Sequence, residues 1–182
     1  KIKFVTESPD IDESRKGNES INDFVKRLSY EKAMKVAMNK KNAIIIGSDE
    51  IAVSNKKIFG KPITKETAIK QLKYISNRHV IFKTGLCVID TLTRKKYLSL
   101  VNYKVKMRKL NIQEIKSYIK KEDILNCAAS IKIEGLAISL IEKTSGVDPT
   151  SVIGLPLIKL REYLNKLGVS LPWLFLKMIE AF

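Results

Sequence analysis

Ile44-Ile45-Ile46-Gly47-Ser48-Asp49-Glu50 decides how this chain is read. Three β-branched apolar residues run into a small-residue pair and then into two adjacent carboxylates. Branched side chains pack well on a pleated surface, so Ala43 to Ile46 reads as a buried strand. Gly47-Ser48 reads as a turn, Asp49-Glu50 as acid delivered at the strand's end, and Ile51 to Val53 as a continuation beyond it. In open α/β sheets, ligands collect at the carboxyl ends of strands. Carboxylates at such a place in a chain of net charge +15 mark it as the first candidate for a site.

Working outward, Ser20 precedes an apolar stripe at helical spacing, Ile21, Phe24, Val25 and Leu28, with Lys32 on the same face. This predicts a helix to about Met38, with Ser20 and Asp23 as a capping pair. Upstream, Lys1 to Val5 alternates as a short strand, and Glu7 to Ser14 forms an acidic loop. Ser54 to Lys57 is a turn, and Ile58 to Pro62 a loop. Thr64 caps a helix from Lys65 to Ile75, with Asn77 as its stop. Val80 to Asp90 and Lys95 to Arg108 read as paired strands. Asn111 caps a helix from Ile112 to Lys120. Cys127 to Ile133 is a small-residue stretch, Leu136 to Glu142 a strand, and Ser145 to Pro149 a turn. A last helix runs from Leu155 to Leu167, opened by Pro156 and ended by Gly168. Strands and helices joined by both hairpins and crossovers predict a single α/β domain, a mixed twisted sheet flanked by helices. That domain covers residues 1–168, and 169–182 form a short apolar tail.

The 182 residues are 45% hydrophobic and 29% charged, ordinary for a globular protein. No apolar run approaches the ~20 residues of a membrane span, and no secretory signal opens the chain. Cytoplasmic localisation and no membrane partner are therefore expected. Cys87 and Cys127 read as buried free thiols. The one histidine, His79, lacks the spacing of a zinc site or a catalytic triad. The charge is mostly lysine, with six arginines. Sequence readers favour the arginine fork, so no dedicated nucleic-acid partner is expected, although the charge would steer any polyphosphate.

Charged residues recur beside small-residue turns at Asp10-Ile11-Asp12-Glu13, Lys32, Asp49-Glu50, Gly60-Lys61-Pro62 and Ile133-Glu134-Gly135. No Walker or dinucleotide glycine motif accompanies them, and no nucleophile stands beside a base. Together with Leu28-Ser-Tyr-Glu-Lys-Ala33, Thr84-Gly-Leu86 and Val152-Ile-Gly-Leu-Pro156, these clusters resemble the Maf family of nucleotide pyrophosphatases over Phe4 to Leu167. Asn126-Cys-Ala-Ala-Ser130, Glu134-Gly135 and Asp148-Pro149 resemble the subgroup that hydrolyses 7-methyl-GTP.

The resemblance implies hydrolysis of a nucleoside triphosphate between its α- and β-phosphates. It makes Asp49 the proton acceptor that activates water. Glu13 and Asp49 would be carboxylates on a divalent cation, Mg²⁺ or Mn²⁺. Lys32 and Lys61 would contact phosphate oxygens, and Glu50 and Glu134 would face the base. A carboxylate at 134 can accept from guanine N1–H and its N2 amino group, and N7-methylation makes the ring cationic. Members acting on dTTP and UTP carry Thr after the catalytic Asp and Gln in place of Glu134. The methylguanine subgroup usually carries Gln where Glu50 stands, so the base preference stays open towards other nucleotides. The family's opening strand, helix and Ser-x-Ser-Pro-x-Arg segment are not found in the sequence. A catalytically inactive nucleotide- or nucleic-acid-binding remnant is the remaining alternative. A homodimer is left open.

Overall fold

A computed structural model describes residues 4–169. Five strands and four α-helices follow one another along them: α1 (Ile21–Ala37), β1 (Ile44–Ser54), β2 (Lys57–Phe59), α2 (Lys65–Ile75), β3 (His79–Asp90), β4 (Lys96–Met107), α3 (Ile112–Lys121), β5 (Ile141–Gly146) and α4 (Leu157–Lys166). The strands form one sheet in the order β2-β1-β3-β4-β5, with β1/β2 and β4/β5 antiparallel. The expected α/β class is therefore what the chain adopts. The predicted strand at Lys1 to Val5 is not formed at Phe4 and Val5, which are exposed; Lys1 to Lys3 lie outside the described residues, as does the tail from Ser170 to Phe182.

The chain divides into two compact units. One comprises the chain up to Asp49, Gly85–Leu100 and the chain from Leu155; the other comprises Glu50–Thr84 and Val101–Gly154. In the first unit, Leu86 and Val88 of β3 pack with Leu157, Leu160, Tyr163 and Leu164 of α4. Ala33 of α1 meets Cys87 and Ile89. In the second unit a larger core gathers Ala52 and Phe59, the α2 stripe Ala68, Leu72 and Ile75, Val80 and Phe82, alternate β4 residues Tyr103, Val105 and Met107, and Ile115, Tyr118 and Ile119 of α3. The spacings of two on strands and of three or four on helices are those of one buried face per element.

Helix starts follow local chemistry. Ser20 Oγ accepts from Asp23 N–H at 3.1 Å and donates to Asp23 Oδ2 at 2.7 Å. Thr64 caps α2 through Thr67 N–H. Asn111 and Glu114 exchange both bonds of a capping box.

The opening stretch is rearranged relative to expectation. β1 does not end at the carboxylates but continues to Ser54, where Asn55 and Lys56, at φ 49° and 65°, turn into β2. Two successive positive φ values are the signature of a tight hairpin turn whose twist suits the flanking strands. The buried residues of β1 are Gly47 and Ile51–Ser54, while Ile46 is 41% exposed. Asp49 and Glu50 thus sit in mid-strand, and neighbouring strand residues point to opposite faces. Gly47 does not turn the chain. A Cβ there would come within 2.5 Å of Ser29 O and 2.7 Å of Ala33 N, so glycine is what lets α1 lie against β1.

Leu136–Leu140 is a 3₁₀ turn rather than the start of a strand. Its buried residues, Ala137 and Leu140, are three apart, matching the three-residue turn of that helix. β5 begins only at Ile141 and takes in Ser145 and Gly146, where the sequence predicts a turn.

Candidate active site

In the first unit the crossing of α1 over β1 places Lys32 on Asp49. Besides Gly47, Gly85 on β3 permits this approach, since a Cβ there would overlap Ser29 Oγ and come within 2.8 Å of Val25 O. Ser48 Oγ donates to Gly85 O at 2.7 Å and ties the two strands at the same level. One helical turn beyond Leu28, Lys32 Nζ donates to Asp49 Oδ1 at 2.6 Å and meets Glu13 Oε1 at 2.8 Å. The Lys32 and Asp49 side chains are 19% and 12% exposed, and that of Glu13 58%. Burial pulls the Lys32 pKa down, but Asp49 and Glu13 together outweigh it, and the net shift is upward. Lys32 is therefore cationic at neutral pH.

Glu13 reaches Lys32 because its loop is pinned to α1 by a side chain that the sequence reading passed over. Arg27 donates to Ser14 O at 2.8 Å, to Glu19 through Nε at 3.0 Å and Nη2 at 2.8 Å, and to Glu31 Oε2 at 2.8 Å. Lys16 adds an ion pair to Glu31 at 3.0 Å. The Arg27 hydrogen bonds, with the Lys16 backbone N–H, hold the Glu19 carboxyl down at about 2. An Arg four residues before a Glu on a helix was the available signal.

In the second unit the candidate residues are Glu50, Lys61 and Glu134. Glu134 and Glu50 both act on the half-buried Cys127, whose thiol is pushed up to about 11, first by burial and then by Glu134, with smaller contributions from Asp123 and Glu50 against the opposing Lys132. Cys127 is thus a protonated thiol among carboxylates. Lys61 stands exposed on the loop after β2.

Neutral groups fix the loops that carry these charges. Gln71 of α2 donates to Gly60 O at 3.1 Å and accepts from Ser130 Oγ at 2.7 Å. Ala129 N–H also donates to Gly60 O. Tyr118 Oη donates to Ser130 O at 3.2 Å and accepts from Lys132 N–H at 3.0 Å. Ala129 and Ser130 stand at φ 54° and 60°. Two consecutive non-glycine residues in the left-handed region persist only where surrounding bonds over-determine them, as these do. No sequence pattern announced Gln71 or Tyr118 as support; each is an ordinary helix residue until the loops fold onto it.

Among the described residues, no group of three or more His, Cys, Asp and Glu is placed to hold a metal ion. No helix among them is long and apolar enough to cross a membrane.

Residues 1–167 match the family described as Maf-like protein. The chain is 44% identical over 94% of its length to the 7-methyl-GTP pyrophosphatase of Alcanivorax borkumensis, of which it covers 87%. It is 44% identical to the protein of that name from Pseudomonas savastanoi and 42% identical to that from Pseudomonas aeruginosa, covering 90% of each and again with 94% of its own length. A family match across nearly the whole chain, with relatives this similar over most of their own lengths, establishes that the chain belongs to the Maf family.

Proposed function

We propose that this protein is a nucleoside triphosphate pyrophosphatase that cuts the α–β phosphoanhydride of 7-methyl-GTP, releasing 7-methyl-GMP and pyrophosphate. The observation that carries this reading is the family membership, with relatives of that name at 42–44% identity over 94% of the chain.

The chemistry of the Lys32 cluster supports it. Asp49 is a largely buried carboxylate paired with the Lys32 ammonium. A phosphate oxygen arriving at Lys32 competes for the same N–H donors and releases Asp49 to accept a proton from water. Lys61 adds a second point charge for the polyphosphate. Glu13 and Asp49 fit a cation of the Mg²⁺ or Mn²⁺ type, which takes one or two carboxylates and leaves its other positions to water and substrate phosphates. When bound, such an ion supplies neutralisation of the phosphate charge. Glu134, with Glu50, gives the negative surroundings that favour a cationic methylated guanine over a plain one.

Pyrophosphate release is measured with Mg²⁺ across 7-methyl-GTP, GTP, dTTP and UTP, on the wild type and Asp49→Asn. The expected result is a preference for 7-methyl-GTP and a fall of roughly 100-fold or more in Asp49→Asn, with melting followed to show that the variant is folded. Fastest release from dTTP or UTP would move the substrate assignment within the family. No release from any nucleotide, joined to salt-sensitive binding of RNA or DNA, would replace the enzyme with a binding protein.

A further inference from the structure

Glu134 lies at the centre of a short segment whose two ends are both tied to the C-terminal turn of α3. On one side Lys132 N–H donates to Tyr118 Oη at 3.0 Å. On the other, Leu136 N–H donates to Glu122 Oε2 at 2.8 Å. Tyr118 lies in the last turn of α3, and Glu122 is the extended residue that ends the helix, its own N–H still bonded to Tyr118 O. The second oxygen of Glu122 pairs with Lys132 Nζ at 2.8 Å, and the Glu122 side chain is only 13% exposed. Hydrogen bonding from Lys132, and then from the Leu136 N–H, holds its carboxyl below the usual range. Between the clamps, Gly135 N–H closes a turn onto Lys132 O at 3.0 Å. A Cβ at Gly135 would overlap Glu122 Oε2, so a side chain there would have to displace the Glu122 carboxylate from the turn.

We propose that Glu122 is a positioning residue for base selection: it fixes the Lys132–Leu136 turn and so the direction from which the Glu134 carboxylate meets the base. The inference rests on the role of Glu134 given under Proposed function. Glu134 itself is exposed, so without the Glu122 clamp nothing on its own side chain would hold it in one direction. A carboxylate that swings freely is attracted to both methylated and plain guanine. One held in place discriminates through paired hydrogen bonds of fixed geometry.

The test measures kcat/KM for 7-methyl-GTP and for GTP on the wild type, Glu122→Ala, Glu122→Gln, Glu134→Gln and the double variant Glu122→Ala/Glu134→Gln, with melting followed in parallel. Glu122→Ala is expected to reduce the 7-methyl-GTP:GTP ratio by about 5- to 10-fold, the scale of one net hydrogen bond. Glu122→Gln keeps an acceptor for Leu136 N–H and restores most of the ratio. The double variant is expected to match Glu134→Gln, because a clamp has nothing to position once the carboxylate is gone. If Glu122→Ala loses its cooperative transition, Glu122→Asp, too short to reach both Lys132 and Leu136, carries the same measurement. A wild-type ratio in the folded clamp variant, or losses that add in the double variant, would overturn the inference while leaving the proposed function intact. A wild type inactive on both nucleotides would overturn both.

Discussion

The two units hold their candidate site charges in opposite ways. In the first, the charges hold one another: one ammonium, Lys32, contacts Glu13 and Asp49 directly, and rigid elements carry Lys32 and Asp49. In the second, Lys61 and Glu134 are exposed and carried on loops whose backbones are fixed by Gln71, Tyr118 and Glu122. A site made by a helix crossing a strand depends on steric fit at the crossing. A site made on loops depends on hydrogen bonds that a single side chain can withdraw. The first arrangement suits chemistry, which tolerates little displacement. The second suits recognition, where small shifts change preference more than rate.

The sharpest way to break this contrast is at the chemistry itself. Lys32→Met should lower kcat by roughly 100-fold, whereas Gln71→Ala should act mainly on KM; steady-state kinetics on both variants checks the split. A kcat effect of equal size in the two variants would erase the distinction.

Next in size is the crossing. Gly85→Ala forces a methyl group against Ser29 and the Val25 carbonyl and should cost about 1–3 kcal/mol, read from urea unfolding. Ser29→Gly in the same chain removes one of the two obstacles and should recover part of the loss. Gln71→Ala leaves the Gly60 carbonyl with one partner fewer and the Ser130 hydroxyl without its acceptor, for about 1 kcal/mol. A larger loss in Gln71→Ala than in Gly85→Ala would invert the comparison.

The smallest effect is one of pH and belongs to the loop that carries Glu13. Glu19 titrates at about 2 in the folded chain against an ordinary 4.5. A depressed carboxyl stabilises the fold above its unfolded value and loses that contribution as pH falls through the folded one. The stability advantage of wild type over Glu19→Gln should therefore be constant above about pH 4.5 and shrink steadily towards about pH 2, as checked by urea unfolding at a series of pH values. An advantage that grows on acidification would contradict the Arg27–Glu19 pairing.

Much of the fold was legible because it is written locally. Ser20, Thr64 and Asn111 announced three helices through side chains that reach the next turn, and the bounds they predicted held to within one residue. Val80 to Asp90 and Lys95 to Arg108, read as paired strands, are β3 and β4. The misreadings came where partners far away in the chain decide. Gly47 looked like a turn residue because glycine and serine favour turns locally. It is glycine because α1 passes over it. Leu136 to Leu140 looked like a strand because its apolar residues crowd together, and only their burial three apart showed a 3₁₀ turn. Among the site residues, Lys32, Asp49 and Glu13 could be nominated from sequence and meet in the structure. Arg27, Gln71, Tyr118 and Glu122 could not, since nothing distinguishes a supporting polar residue from a solvated one until its acceptor arrives.

The sequence by itself determined the α/β class, the helix starts and the residue types able to do phosphate chemistry, because caps, periodicity and charge are properties of neighbours within a few positions. Only the tertiary structure decided that Asp49 meets Lys32 in mid-strand, and that Glu134 stands on a turn clamped at both ends. Those facts depend on how closely a helix can approach a strand and on which distant side chain completes a hydrogen bond, and both are settled by packing across the fold rather than by order along the chain.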